Sequence, residues 1–596
     1  MKNNEFDFLY YVYKNGLDGY RKIAQSTNIS LGAISKLANK FKEIEALDEK
    51  GLTPKGIELL KPYKVDNAII MAAGMSSRFV PLSLEMPKGL LKVKDEILIE
   101  RQIKQLHEAG INDITLVLGS ATPSIEEYYR AKSGEFYLEK KYNVKIIINP
   151  EYNVKNNCET LYLARNILKN TYICSSDDYF TENVFDEYVY TSYYASIHVE
   201  EKSDEWYMIK NNKNEIIKVN KFGNDGDIML GHVYWNHEFS EKFRELLIKH
   251  HELGDYDDSL WEQLFTDNIK KLPPMQVKTY PSDVIFEFDS LDELRRFDEK
   301  YVKNTPSKII NNICRLFNCS ANEITDFKPI KEGLTNTSFI FKLNDKLYVY
   351  RHPGDGTENI INRKHEKKSL ELAKKLNVDP TFIYMDEKEG WKVSEYVKNV
   401  RIPDYHNFED TKRILKVLRE LHEHNLTVDW EFLPWEEALK IEDLLNAKDP
   451  STMRNFLPLK EKIAKLVEAV KGDGIEKRFC HCDTYAPNWM LTDNETILID
   501  WEYSGNADPG CDLGAYIMDA MYEVEETEKF ISEYLQENNT PVAMFHHLAY
   551  VAIISYYWFV WALYRESCGA VMGESLHNWH TMAEKYSTYL VEKHLK

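Results

Sequence analysis

Three polar residues near the C-terminal end of this chain are spaced for phosphoryl transfer. In HCDTYAPN, Asp483 stands five residues before Asn488, and Asp500 follows the apolar run TILI. With that spacing one acid can orient an attacking hydroxyl while an amide and a second acid hold Mg²⁺. Asp483 is the expected base, and Asn488 and Asp500 are the expected metal ligands. His481 is expected to brace the loop by hydrogen bonds. Far upstream, MAAGMSSRFVPLSLEMPKGLL begins at Met71 and handles phosphate differently. Ala72, Ala73 and Gly74 carry no bulk to block close backbone approach, so their loop can grip a triphosphate that Arg78 and Lys88 neutralise.

Both strings need rigid supports. From Asn67, strands alternate with helices (NAIIMAAG, LIERQIKQLHEAG, DITLVLG, VKIIINP), the pattern of a covered, mostly parallel sheet with ligands at the carboxyl ends of its strands. After Thr305 and Pro306 the pattern restarts with two β-rich runs around a polar turn, as in a small β-lobe. At 596 residues the chain is too long for one ordinary core. With 43% hydrophobic and 29% charged residues it has the composition of a globular protein. A net charge of −21 repels nucleic acid and phosphate at long range, so any anion site must be locally basic.

The eight cysteines form no regular framework, and MKNNEFDFLYYVYKNG lacks the order of a secretory signal, so reduced thiols and a cytoplasmic location are expected. Cys480 and Cys482 flank His481 without a second pair at zinc spacing and read as small core residues. The longest apolar run, Ala549 to Tyr564, is shorter than a membrane span and rich in Tyr and Trp, so a buried helix and no membrane are expected.

Residues 5 to 60 read as short helices with a break at Asn28 to Ser30. Ile34, Leu37 and Phe41 recur at helical spacing beyond it, the apolar pattern of a helix-turn-helix. The segment resembles a winged helix-turn-helix of the MarR-like kind, with LTPKG at Leu52 as the end of the wing and Leu31 to Phe41 as the recognition helix. Only Lys36, Lys40 and Lys42 accompany that helix, so DNA binding stands beside a docking or dimerisation role, and a homo-oligomer stays open.

AAGMSSRF, PKGLLKV and the helix opening with Leu98, Ile99 and Glu100 closely resemble the sugar-nucleotide pyrophosphorylase superfamily, and within it the bacterial phosphocholine cytidylyltransferases. The resemblance implies a nucleoside triphosphate, Mg²⁺, and in-line attack by a substrate phosphate that expels pyrophosphate. It places the metal on Asp177, with Asp178 as near alternative, and on Asp289. It also implies a quaternary ammonium held by Trp206, Tyr256 and Asp257, with Asp258 beside them; each of these residues also has an ordinary core or capping use.

PIKEGLTNTSFIFKLNDKLYVY and HCDTYAPN resemble the bacterial choline kinase and aminoglycoside phosphotransferase superfamily, whose fold is that of protein kinases. By that resemblance Gly333, Thr335 and Asn336 cover the nucleotide phosphates. Arg351 stands where most kinases have a lysine, with Glu366 as its helix partner and VSEYV as the hinge. Glu502, Asp512 and Asp519 match acids of the choline kinase extension. Tyr557, Trp558 and Trp561 lie close on one helix and could box a trimethylammonium group.

The expected architecture is α/β multidomain: a winged helix-turn-helix-like segment (1–64), a Rossmann-like nucleotidyltransferase with a mixed sheet (65–303) and a protein-kinase-like α+β domain (304–596). The expected chemistry is phosphorylation of choline by ATP, then conversion of phosphocholine and CTP to CDP-choline for cell-surface decoration. Ethanolamine or an aminoalkyl phosphonate is the rival substrate, since a primary ammonium can donate hydrogen bonds to the same acids. A choline- or nucleotide-sensing transcription regulator is the rival from another class.

Overall fold

The run Asn67–Ala72 is mostly buried, as a strand between two parallel neighbours must be. It pairs in parallel with Ile114–Gly119 on one side and Thr171–Ser175 on the other, and Lys145–Asn149 extends the sheet beyond Ile114–Gly119. Gly226–Trp235 joins Thr171–Ser175 antiparallel, so the nine-stranded sheet is mixed. Alternate residues of the first strand face opposite ways. Ala68 and Ile70 pack with Ile99, Ile103 and Leu106 of the helix Leu98–Glu108. Ile69 packs into a second core with Leu161, Trp235, Phe239 and Trp261. Two covered faces leave the strand ends as the place for polar chemistry.

This is a computed structural model, and it describes all residues except 75, 120–135, 153, 204, 331–335, 355–360, 425, 450, 569–571 and 595–596. The chain divides into two units, Met1–Pro329 and Ile330–Lys596.

The first unit opens with helices Asn3–Asn15, Tyr20–Thr27 and Leu31–Glu43, a hairpin of Leu47–Asp48 with Gly51–Leu52, and the helix Pro54–Leu60. Asn28 ends the second helix in the left-handed conformation and Ser30 caps the third, which explains the break between them. These elements seat on residues 186–190. The Tyr10 hydroxyl donates to Asp186 at 3.0 Å, Lys14 pairs with the same carboxylate at 2.8 Å, and Phe6, Tyr63 and Tyr190 pack ring against ring at 5.2–5.5 Å.

In the second unit the strands Asn336–Leu343 and Lys346–Pro353 form a hairpin whose two linking residues, Asn344 and Asp345, both have positive φ (50° and 61°). That is the geometry of a type I′ turn, and Asn and Asp tolerate it. Lys392–Glu395 pairs with Lys346–Pro353 and Phe382–Met385 with Lys392–Glu395, both antiparallel. A helical lobe follows.

Its central helix, Pro541–Ser567, has 27 residues, extending well beyond the run Ala549 to Tyr564 because Thr540 caps it and Pro541 starts it. It is thus long and apolar enough to cross a membrane by length and composition, but 89% of its most apolar window is buried inside the unit. Gly510 and Gly514 let the helix Pro509–Ala520 lie directly against it. A Cβ on Gly514 would stand 2.7 Å from Ile554 Cγ2 and 3.0 Å from the Tyr550 carbonyl oxygen. Gly514→Ala should therefore cost about 1–3 kcal/mol by overpacking. Scanning calorimetry should show the second unit melting earlier while the first keeps its transition.

Candidate active sites

At the carboxyl ends of the parallel strands the first unit has a cleft of about 560 Å³. Ala72, Ala73 and Gly74 form its floor, and Arg78, Lys88, Asp177 and Asp289 enter from three segments distant in sequence. Lys88 is buried and is the hub. Its Nζ lies 2.8 Å from Asp177 Oδ2 and 3.5 Å from Asp289 Oδ1, and Arg78 reaches Asp289 Oδ2 at 3.3 Å. Burial opposes a charge on Lys88, but Asp177, Glu287 and Asp289 outweigh it and raise its pKa above the usual lysine range.

Asp177 and Asp178 have separate surroundings. Asp178 starts the strand Asp178–Phe180, opposite Glu287 in register, and is buried with both carboxylate oxygens unbonded among the described residues. Burial, with Glu287 and Asp177 nearby, pushes its pKa far up. Asp289 is free of helix-capping duty, because Ser290 and Glu293 form the capping box of Leu291–Phe297.

The cleft wall departs from the residues expected to hold the substrate. Tyr256 donates to Asp267 Oδ2 at 2.7 Å and packs edge-on to His250, and Trp206 packs on the core under Lys221. Asp257 sits 3.8 Å from Lys155 Nζ. None of the three lines the cleft; Asp258, Leu260, Asn156, Asn157 and Glu287 do. Glu287 escaped the sequence reading, although its position two residues before Asp289 in FEFD puts both on one face of an extended segment. The Glu287 side chain opens to solvent at the cleft, so desolvation by the cleft walls, the first cause of the shift, acts less fully than on a buried acid, and with Asp177 it raises the carboxyl above its usual range.

In the second unit the loop His481–Asn488 is pinned from behind. Asp512 accepts the amides of His481 (3.1 Å) and Cys482 (2.5 Å) and bonds His422 Nε2 at 2.9 Å. His481 Nδ1 accepts the Asp483 amide at 3.2 Å, and its Nε2–H donates to the Ile499 carbonyl at 2.9 Å, so the ring ties loop to strand. Burial lowers its pKa, consistent with a neutral imidazole. Asn488 Nδ2 donates to Asp483 Oδ2 at 3.0 Å. Burial, followed by Asp500 and Glu502, pushes Asp483 far above the usual carboxyl range.

Asp500 has φ +71°, strained for a residue with a side chain, and its carboxylate is held by Arg351 at 2.7 Å. Arg351 also pairs with Glu366 and, at 3.5 Å, with Glu502. Asn336 Nδ2 donates to Glu502 Oε2 at 3.2 Å, while Gly333 and Thr335 lie outside the described residues. Asp519 bonds the Tyr405 hydroxyl and the Ala486 amide, tying it to the same loop.

Tyr557, Trp558 and Trp561 are buried. Trp558 meets Tyr503 edge-on at 5.0 Å and Trp561 at 5.5 Å, with Trp579 at 5.8 Å, and its indole N–H has no hydrogen-bond partner among the described residues. Tyr557 meets Trp558 edge-on at 5.0 Å and also packs on Phe432. Tyr503 and Trp579 join this cluster without a spacing signal in the sequence. The carboxylate and amide oxygens at both sites suit a hard cation such as Mg²⁺: Asp177 and Asp289 in one, Asp483, Asn488 and Asp500 in the other.

A Rossmann-like sheet with a basic, acid-lined phosphate loop and a β-lobe over a helical lobe with an Asp-Asn-Asp centre define a nucleotidyltransferase fused to a kinase. A nucleotidyl transferase family model matches residues 67–209, and a choline/ethanolamine kinase model matches residues 327–572. A choline-phosphate cytidylyltransferase of Streptococcus pneumoniae is 31% identical over 232 residues, 39% of this chain and 96% of that protein. A 2-aminoethylphosphonate cytidylyltransferase of Lancefieldella rimae is 28% identical over 240 residues, 40% of this chain and 93% of that protein. The crystal structure of choline kinase LicA from Streptococcus pneumoniae covers 47% of this chain and 98% of its own, at 28% identity and a TM-score of 0.43. The chain belongs to the choline-phosphate cytidylyltransferase family through its first unit, and its second unit matches the choline/ethanolamine kinase family.

Behind the first cleft, Glu262 accepts from Asn157 Nδ2 at 3.3 Å and from the Tyr194 hydroxyl at 3.5 Å, and burial pushes it up to about 7 from 4.5. Between those values the folded form holds a proton that the unfolded form has lost, so its contribution to stability declines as pH rises from about 4.5 to 7 and then levels off. Glu262→Gln should remove that slope. Its Tm relative to wild type should rise between pH 5 and pH 8, and a pH-independent difference would contradict this assignment.

Proposed function

We propose that the second unit transfers the γ-phosphate of ATP to choline and that the first unit couples the resulting phosphocholine to CTP. In the kinase step Asp483 orients the choline hydroxyl and takes its proton as the oxygen bonds the γ-phosphorus and ADP leaves. Asn488 and Asp500 would hold Mg²⁺. Tyr503, Trp558 and Trp561 would present ring faces to the trimethylammonium group, with Glu502 and Asp519 supplying negative charge.

In the cytidylyl step the Ala72–Gly74 loop, Arg78 and Lys88 hold the triphosphate while a phosphocholine oxygen attacks the α-phosphorus and pyrophosphate departs. Asp177 and Asp289 would hold Mg²⁺. When bound, the metal supplies positive charge that neutralises phosphate oxygens and leaves the in-line geometry to the protein.

The reading rests chiefly on the convergence of Lys88, Asp177 and Asp289 in one cleft of a chain that also carries the Asp483–Asn488–Asp500 centre. An aminoalkyl phosphonate as the phosphorus-bearing substrate is the second reading. It is favoured by Asp258 and Glu287 in the cleft wall, which can accept from a primary ammonium, and by the 2-aminoethylphosphonate relative. We read residues 1–64 as a winged helix-turn-helix that could meet DNA through Leu31–Glu43, where Lys36 and Lys42 are exposed.

Purified chain given choline, ATP, CTP and Mg²⁺ should release pyrophosphate and CDP-choline only when all four are present. Asp483→Asn should lower turnover starting from choline by roughly 100-fold or more and spare turnover starting from phosphocholine. Asp177→Asn should block CDP-choline formation from choline and from phosphocholine alike, and let phosphocholine accumulate from choline. Absence of CDP-choline in the full mixture, with 2-aminoethylphosphonate accepted instead, would transfer the conclusion to the second reading.

A further inference from the structure

Arg351 and Lys392 are register partners on neighbouring antiparallel strands, and both approach Asp500 Oδ1, at 2.7 and 3.6 Å. Their surroundings differ. The terminal nitrogens of the Arg351 guanidinium pair with Glu366, Asp500 and Glu502, and the group is almost completely buried, its Nε–H without a partner among the described residues. The Lys392 side chain is only 9% exposed, yet its nearest ionic partner among the described residues, Asp500, is beyond hydrogen-bond distance. Asp379, the other acid acting on this region, already accepts from the Thr381 amide and hydroxyl.

An ammonium has three donors and a large desolvation penalty, so a mostly buried one whose ionic partner stands as far as 3.6 Å is suited to take up an anion. The neighbourhood specifies which anion. Asp500 lies beside Asp483 and Asn488 at the centre assigned to phosphoryl transfer, and Lys392 sits on the strand that leads into the expected hinge for the nucleotide base.

We propose that Lys392 ligates the triphosphate of the bound nucleotide in the second unit, while Arg351, which stands where most kinases have a lysine, keeps Glu366, Asp500 and Glu502 together. The inference rests on the kinase reading of this unit. Lys392 neutralises Asp500 in the free enzyme and turns its N–H donors to non-bridging phosphate oxygens when nucleotide enters. It is a binding residue with no part in proton transfer.

The test is calorimetric titration of full-length chain with ATP and with AMP, each with Mg²⁺ and without any alcohol substrate. Lys392→Met should weaken ATP roughly tenfold or more, the loss of a charge-assisted hydrogen bond, and AMP less than twofold. Lys392→Arg should recover most of the ATP affinity. A single cooperative unfolding transition of the second unit in each variant serves as the folding control, with the Tm of Lys392→Met lowered because Asp500 loses a neutralising cation. Equal loss of ATP and AMP in Lys392→Met, or unchanged ATP affinity, would overturn the inference alone. Wild-type chain that binds neither nucleotide would overturn the kinase reading and this inference together.

Discussion

Mutual repulsion among buried carboxylates is the constraint on which the rest of this molecule depends. Metal-assisted chemistry on phosphates needs several acids within a few ångströms, and removing them from water makes their ionisation costly. Both units meet that requirement with cations of their own. Lys88 lies among Asp177, Asp289 and Glu287, and Arg351 and Lys392 among Glu366, Asp500 and Glu502. The balance is incomplete in each, since Glu287 is held above its usual range and Glu502 up to about 7. The acids are assembled before substrate arrives, and further positive charge is welcome.

Each fold satisfies this constraint with ordinary backbone geometry. In the first unit, strand ends converge because the sheet is parallel at its centre, so Gly74 and Asp177 emerge side by side from neighbouring strands. In the second, Asp512 grips consecutive backbone amides of the His481–Asn488 loop and is itself held by His422, and Gly514 allows the helix bearing Asp512 to approach its neighbour closely. Substrate-facing residues stand on these rigid supports with few degrees of freedom left.

Much of this could be read from the sequence where function depends on spacing along the chain. The Ala72–Gly74 loop, Lys88, Asp483 and Asn488 belong to short strings whose local geometry follows from a turn or a strand end. Asp177 and Asp289 came from family resemblance, and the structure brings both to Lys88. Residues whose place depends on side-chain direction were less legible. Trp206 and Tyr256 are aromatic and suitably placed in sequence, but a hydrogen bond to Asp267 and a berth on the core occupy them, and Asp258 and Glu287 form the wall. Lys392 carried no signal because its meaning comes from a cross-strand partner forty-one positions earlier, a pairing that hydrophobic periodicity does not encode.

The ring stack of Phe6, Tyr63 and Tyr190, with Tyr10 and Lys14 on Asp186, has a practical consequence for anyone dissecting the protein. A cut near residue 65, where the catalytic motifs begin, would strip the cover from Tyr188 and Tyr190 and leave Asp186 without two of its partners. The excised fragment would carry a sticky aromatic patch into solution and tend to self-associate. Sequence motifs mark where the chemistry starts, but the smallest well-behaved piece of this enzyme begins with its first helix.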